Sequence, residues 1–156
     1  MTSPDVPAVP AGLHTITPHI VVADAAAAAE WHAKAFGAEE RSRVTLPGGK
    51  VMTLELRLGD SAVMVASEFP EMGIVGPLTV GGTSSVLQIY SEGADELWER
   101  AIGAGAEIAH PIGDTFWGDR HGQIVDPFGH RWNIAQHLRD VSPEDVEAAA
   151  AQAFGG

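Results

Sequence analysis

An internal repeat limits the folds open to this chain more than any other feature of its sequence. Residues at the start and end of a helical segment in the first half recur at corresponding places in the second half. The pairs, each separated by 68 positions, are Asp24 and Glu92, Gly37 and Gly105, Ala38 and Ala106, and Glu39 and Glu107. Matches at one constant offset indicate a duplication, so we expect two modules with the same order of elements.

The first module is predicted to span 13–67 with the order β-α-β-β-β. A β-branched, apolar run at 13–23 predicts the first strand, and Pro18 within it favours an edge position or a bulge. Asp24 and Gly37 enclose an alanine-rich segment, which predicts a helix capped by these two residues. Three short extended segments separated by glycine-containing turns then predict a meander of strands.

The second module is predicted to span 85–138 and to repeat this order after a linking loop at 68–84, which lacks periodicity. Its helix, ADELWERAIGAG, is expected to be amphipathic, with Leu97, Ala101 and Ile102 on one side. Its last two strands, RHGQIVD and HRWNIAQH, are expected to form a hairpin around Pro127-Phe128-Gly129.

The two ends of the chain carry their own signals. Residues 1–12 contain three prolines and almost no large apolar residue, which predicts a disordered tail. Ser142 and Pro143 supply an N-cap hydroxyl and a proline for the first helical position, followed by acidic residues. They predict a C-terminal helix at 142–154, ending before Gly155.

Charge and composition exclude several classes of partner. The formal net charge of -12, from nine Lys and Arg against 21 Asp and Glu, disfavours contact with nucleic acid or an anionic membrane. No apolar run approaches the ~20 residues that a membrane span needs. We therefore expect a soluble, cytoplasmic protein. The chain has no cysteine, so any metal ion must be held by His, Asp, Glu or amide oxygen.

Three segments carry a resemblance to a known family. They read ITPHIVVADAAAAAEWHAKAFGAEE, ELRLGDSAVMVAS and FWGDRHGQIVDPFGHRW. With the duplication, they resemble the vicinal oxygen chelate superfamily of glyoxalases, bleomycin resistance proteins and extradiol dioxygenases, and within it the PhnB-like subgroup. The resemblance covers 13–146. It implies an α+β fold in which two tandem βαβββ modules form a half-open β-barrel cavity, and it implies a homodimer.

The resemblance also gives the positions where family enzymes hold a metal ion. These positions fall at Thr17, Met64, Ser85 and Asn133, which are poor ligands for a hard or borderline cation. We therefore expect no metal and no other cofactor. One alternative stays open, a single divalent metal ion at a shifted site formed by His19 and Glu55.

The other interpretation of that pair is structural. His19 would then line a cavity wall, and Glu55 would pair with Arg57 or face solvent. His121 and His130, which flank the last hairpin, also have two interpretations. Histidines in such places are more often surface residues than proton shuttles.

The segment FWGDRHG and the strand HRWNIAQH supply the other candidate ligand-binding residues. Trp117 and Arg120 offer an aromatic face and a planar donor fork, which suit a carboxylate, a phosphate or a planar ring. The competing interpretation is an ion pair between Asp119 and Arg120. Alternation along the strand places Trp132 in the core and Asn133 on the opposite face, where a ligand would lie.

The residues of the hairpin turn are expected to be architectural. Asp126 is placed to accept backbone N–H groups across the Pro-Phe-Gly turn. Gly129 is placed to adopt the positive φ that closes the turn.

These features favour a protein that binds a small, partly aromatic molecule in a metal-free cavity, for sequestration, resistance or carriage. Two enzymatic hypotheses remain open. One is a glyoxalase-type lyase or isomerase that uses the shifted metal site. The other is a cofactor-free enzyme of a natural-product pathway, with His19, Glu55 or Asp119 as catalytic acid and base.

Overall fold

The computed structural model describes residues 5–155, which form two compact units. The first unit reaches Gly82 and the second begins at Thr83. The expected disordered tail lies partly outside the described residues, at 1–4. Residues 5–12 form neither a helix nor a strand, and the carbonyl of Gly12 accepts a hydrogen bond from Arg57 Nη1 at 2.6 Å.

The first unit has the predicted β-α-β-β-β order. Its elements are β1 (His19–Val22), α1 (Ala25–Phe36), β2 (Glu39–Thr45), β3 (Val51–Leu58) and β4 (Ser61–Ser67). They form an open four-stranded sheet in the order β1-β4-β3-β2. β1 runs parallel to β4, and the other neighbours are antiparallel. The predicted meander is therefore confirmed.

Strand β1 is much shorter than the predicted run of 13–23. It begins only at His19, because Pro18 has no N–H for the ladder and Thr17 Oγ1 instead donates to the carbonyl of His14 at 2.9 Å. The expected edge position is confirmed, since β1 ends the strand order of its sheet.

Helix α1 begins and ends where the sequence predicts. Asp24 Oδ1 accepts the backbone N–H groups of Ala26 and Ala27, and Gly37 takes a φ of 72° at the C-cap. The side of the helix that is buried consists largely of alanines, whose short side chains allow close packing on the sheet.

The segment 68–84 is more ordered than the predicted loop. It contains a 3₁₀ turn (Pro70–Met72) and a short helix α2 (Pro77–Val80). Glu68 Oε1 accepts hydrogen bonds from Thr79 Oγ1 at 2.6 Å and from the backbone N–H of Gly76 at 2.7 Å. The Thr79 bond first, and then the Gly76 bond, lower the pKa of Glu68 below its ordinary value. This carboxylate therefore connects the start of the segment to the start of α2 and to Thr79 within α2.

The second unit repeats the topology of the first. Its elements are β5 (Val86–Tyr90), α3 (Ala94–Gly103), β6 (Glu107–Asp114), β7 (Asp119–Val125), β8 (Arg131–His137) and α4 (Pro143–Phe154). The sheet is again open, in the order β5-β8-β7-β6, with β5 parallel to β8. The N-cap of α3 is Gly93, 69 positions after Asp24, so the helix starts are one position out of step with the 68-residue offset.

Helix α3 is buried on the predicted side, but two of its most buried residues were not predicted. The buried residues are Ala94, Trp98 and Ala101, while Leu97 and Ile102 are only half-buried. Trp98 reaches the sheet because β7 carries glycine beneath it, and a Cβ added to Gly122 would lie 2.6 Å from the Trp98 ring. A tertiary contact therefore explains why Trp98 is among the most deeply buried residues of this side.

The last hairpin and the C-terminal helix agree with the sequence. Asp126 Oδ1 accepts the backbone N–H groups of Phe128 and His130, and Gly129 has a φ of 87°. Ser142 Oγ accepts the N–H of Asp145, which caps α4. No helix within 5–155 is long and apolar enough to cross a lipid bilayer.

Candidate functional site

The second sheet has one face against α3 and one face that points away from it, which we call the distal face. Gly122 under Trp98 and Gln136, whose Oε1 accepts the N–H of Ala94, identify the α3 side. Alternation and strand register then assign the opposite face. The distal face carries Val86, Gln88 and Tyr90 from β5, Asp119, His121, Gln123 and Val125 from β7, and Arg131, Asn133, Ala135 and His137 from β8.

Three side-chain amides form a row across the centre of the distal face. Gln88, Asn133 and Gln123 lie side by side on β5, β8 and β7. Gln123 Nε2 donates to Asn133 Oδ1 at 2.9 Å, and Asn133 Nδ2 donates to Gln88 Oε1 at 3.2 Å. Arg131 Nη1 ends the row by donating to Gln123 Oε1 at 2.9 Å. We call these three residues the amide row.

A group of acidic residues and a histidine lies at the far end of the same face. His137 is bonded through Nδ1 to Asp119 Oδ1 and through Nε2 to Asp140 Oδ1, each at 2.8 Å. Asp119 is buried, with 4% of its surface exposed, and its Oδ2 also accepts the hydroxyl of Tyr90 at 3.4 Å. The bonds to Asp119 and Asp140 raise the pKa of His137 above its ordinary value. The structure thus favours an imidazolium between two carboxylates.

An aromatic group borders the distal face at the start of β7. The ring of Trp117 meets the ring of His121 edge to face, with centroids 5.6 Å apart, and Phe116 packs on Trp117 at 5.0 Å. Trp117 remains 39% exposed. Burial lowers the pKa of His121, although the charge of Asp119 opposes this effect. A largely neutral ring pair is therefore available for stacking.

Arg120 does not join Trp117 on this face. It lies on the α3 side, where Nε donates to Asp95 Oδ1 at 2.7 Å and Nη1 donates to Asp114 Oδ1 at 3.0 Å. Asp119 is bonded to His137 and Tyr90 in place of the alternative Arg120 ion pair. The arginine on the distal face is Arg131.

The candidates in the first unit lie in the equivalent row of their own sheet. His19 on β1 and Glu55 on β3 stand on either side of Met64 on β4. His19 is exposed, whereas Glu55 accepts a hydrogen bond from Arg57 Nε at 2.8 Å. This contact is the one that the structural interpretation of Glu55 predicts.

The donor set does not fit the metal site of the family enzymes. Thr17 and Ser85 lie outside the strands. The residues that pair with the other two ligand positions, Met64 and Asn133, are His19 and Gln88. Within 5–155 no three or more His, Asp or Glu side chains are grouped so that they could hold a metal ion. A thioether and neutral amides are weak ligands for the divalent cations that His and carboxylates bind.

The candidate residues predicted from the sequence did not include several residues of this face. Alternation along β8 places Arg131 and His137 beside Asn133, and the same rule identifies Gln123 on β7. Gln88 and Tyr90 carry no such signal, because their place depends on the parallel pairing of β5 with β8.

Comparison with known families agrees with this architecture. The sequence model of the Glyoxalase/Bleomycin resistance protein/Dioxygenase superfamily matches residues 12–134. The chain belongs to this superfamily. Its two open sheets with interleaved helices are the α+β glyoxalase fold that the sequence predicted.

Relatives of this superfamily member are known from several bacteria. An uncharacterized protein of Mycobacterium bovis is 36% identical over 144 residues, which cover 90% of this chain and 95% of the relative. An uncharacterized protein of Mycobacterium tuberculosis strain H37Rv is also 36% identical over 144 residues, and this match covers 90% of this chain and 85% of the relative.

Solved structures share the fold. TioX from Micromonospora sp. ML1 is 27% identical with a TM-score of 0.65, and the match covers 80% of this chain and 99% of TioX. Protein PA1353 from Pseudomonas aeruginosa has the same TM-score at 20% identity, and the match covers 81% of this chain and 99% of PA1353. The likeness to PA1353 shows the fold alone.

Proposed function

We propose that this glyoxalase-superfamily protein binds a small, partly aromatic molecule on the distal face of its second unit and needs no metal ion to do so. The observation that carries the proposal is the amide row, which includes Asn133, the position where family enzymes hold a metal ligand. Neutral amides form directional hydrogen bonds with an organic ligand, and without carboxylate or imidazole partners they bind transition-metal cations weakly. Such binding would serve to sequester the molecule, to carry it, or to give resistance to it if it is toxic.

Apolar and aromatic groups around the amide row supply the rest of the binding surface. Tyr90 is 63% exposed on the edge strand, and Trp117 presents its ring beside His121. Ligand sites combine apolar surface with a few oriented polar groups, and the exposed rings of Tyr90 and Trp117 supply aromatic surface near the amide row.

A thermal-shift screen of planar aromatic compounds in the presence of a chelator tests the proposal. A compound at 100 times its dissociation constant is expected to add ~2.7 kcal/mol to the apparent stability. Asn133→Leu is expected to abolish that shift, and Met64→Leu, the matched change in the first unit, is expected to preserve it. If every shift disappears with chelator, or persists in Asn133→Leu, the proposal fails.

A second function, cofactor-free acid–base catalysis, is favoured by one observation. A buried carboxylate, Asp119, holds the half-exposed imidazole of His137 at 2.8 Å on the same face as the amide row. Asp119 fixes the orientation of the imidazolium, which could act as a proton donor at Nε2 once the fully exposed Asp140 releases that nitrogen. Turnover of a bound compound that is lost in Asp119→Asn while binding persists would establish this function, and unchanged turnover would exclude it.

We propose three further properties that the family membership suggests. They are a place in the PhnB-like subgroup, a cytoplasmic location and assembly as a homodimer. Light scattering coupled to size-exclusion chromatography tests the last of these, since a homodimer has twice the chain mass of 16.3 kDa.

A further inference from the structure

The amide row has a fixed direction. A guanidinium carries only donors, so the amide atom that faces Arg131 must be the oxygen of Gln123. The nitrogen of Gln123 then faces Asn133, which must accept through its oxygen and donate through its own nitrogen. Gln88 in turn accepts through Oε1, so its Nε2 is left at the far end of the row.

This direction decides what the row offers to a ligand. Both N–H groups of Gln88 Nε2 lack an acceptor among residues 5–155, and Gln88 lies exposed on the edge strand β5. Arg131 is donor-only at the opposite end. Both ends of the row therefore present N–H groups.

Gln88 also lies beside an aromatic surface. Tyr90 follows it by two residues on the same side of β5, which separates the two side chains by roughly 6.6 Å along the strand. A ring that stacks on Tyr90 can therefore place a substituent at Gln88 Nε2.

We propose that Arg131 is a positioning residue that sets the polarity of the amide row, and that the ligand of the distal face is an aromatic compound with a carbonyl or carboxylate oxygen directed at Gln88 Nε2. This inference rests on the proposed function and adds the chemical class of the ligand to it. A ligand that offers only an N–H donor at this place meets another donor and binds weakly.

Reversal of the row gives a direct test. In Arg131→Glu the carboxylate accepts from Gln123 Nε2, so each amide turns over and Gln88 ends the row with its oxygen. The probes are 1-indanone, a neutral bicyclic compound with a carbonyl acceptor, and indole, a neutral bicyclic compound with an N–H donor. Because both probes are neutral, the change of charge at position 131 does not by itself change their ratio.

The measurement is the ratio of the two dissociation constants by titration calorimetry or ligand-observed NMR. The wild-type protein is expected to prefer 1-indanone by about tenfold, the value of one well-formed hydrogen bond. Arg131→Glu is expected to reverse the preference. Gln88→Met, which removes the end group alone, is expected to bring the ratio close to one. Arg120→Gln, on the α3 side, is the control and is expected to keep the wild-type ratio.

A ratio in Arg131→Glu equal to that of the wild type overturns the inference. So does a wild-type protein that binds neither probe but is stabilised through Asn133 by other compounds, and in that case the proposed function stands. A protein that no compound stabilises contradicts the proposed function itself.

Discussion

Asp119 and His137 face each other across β7 and β8, and the carboxylate of Asp119 holds the imidazole of His137 through a 2.8 Å bond. Asp119 is buried and His137 is half-exposed, so the pair joins the interior of the second unit to its surface. The opposite ring nitrogen is bonded to Asp140, which is fully exposed. The charge of His137 therefore depends on two carboxylates in different surroundings.

The titration of His137 is the first prediction. Its pKa is raised by the Asp119 bond first and by the Asp140 bond second, so it is expected to titrate above the ordinary imidazole value of 6.5. Asp119→Asn removes the larger cause and is expected to lower the pKa more than Asp140→Asn does. Two-dimensional NMR of the histidine rings measures both shifts. Equal titration in the wild type and in Asp119→Asn would contradict this account.

The same pKa shift links stability to pH. Because the pKa of His137 is higher in the folded protein, its contribution to the free energy of unfolding is complete below pH 6.5 and is lost as the pH rises through the folded value. Urea unfolding across this window is expected to show a loss that is smaller in His137→Gln. A loss of the same size in both proteins would assign it to other groups.

The pKa of His121 is expected to lie below its ordinary value, opposite to the shift of His137. Burial beside Trp117 lowers its pKa below the ordinary value. Trp117→Ala uncovers the ring and is expected to raise the pKa of His121, with His137 in the same spectra as an internal reference. A His121 pKa that Trp117→Ala leaves unchanged would show that the burial comes from elsewhere.

Gly122→Ala is expected to destabilise the second unit. The added Cβ would lie 2.6 Å from the Trp98 ring and 2.8 Å from the Cα of Ile112, and a backbone atom cannot move aside as cheaply as the end of a flexible side chain. Overpacking of this kind costs about 1–3 kcal/mol in the free energy of unfolding. Gly113→Ala is the matched control, since a Cβ there meets nothing within 4 Å. Equal urea midpoints for the two variants would contradict the packing of Trp98 on Gly122.

Asp126→Ala is expected to destabilise the last hairpin. Besides the two backbone N–H groups of the turn, Asp126 accepts Trp132 Nε1 at 2.9 Å, and it is buried. Loss of these buried acceptors is expected to cost about 3 kcal/mol, as judged by urea unfolding. Asp126→Asn keeps an oxygen for the turn and is expected to lie between the wild type and Asp126→Ala. A cost below that of Asp60→Ala, in an exposed turn, would contradict this role.

Local signals predicted the parts of the fold that neighbouring residues decide. The caps at Asp24, Gly37 and Ser142 depend on a few adjacent residues, and the structure confirms all three. The first strand was predicted too long, because Pro18 was interpreted as an edge residue within the strand and not as the point before which pairing stops. The buried side of α3 was predicted correctly, but Trp98 was not named on it, since Trp98 is selected by the space that Gly122 leaves on another element.

The candidate site divides in the same way. Alternation along one strand is enough to bring Asn133 and His137 to one face, and it also separates Arg120 from His121. The partner of Asn133 across the parallel pair is Gln88, 45 residues earlier in the chain. No local pattern records that register, so the amide row emerges only from the folded sheet.

Metal-free binding on the distal face is tested most sharply by the side-chain amide signals of Gln88, Gln123 and Asn133 in ¹⁵N–¹H NMR spectra. A stabilising aromatic compound is titrated in the presence of chelator, and the signals are compared with those of side-chain amides elsewhere. We expect all three residues to shift together, with the same dissociation constant as the thermal stabilisation. Signals that stay unmoved while the compound binds, or that move only after a divalent metal ion is added, would contradict this account.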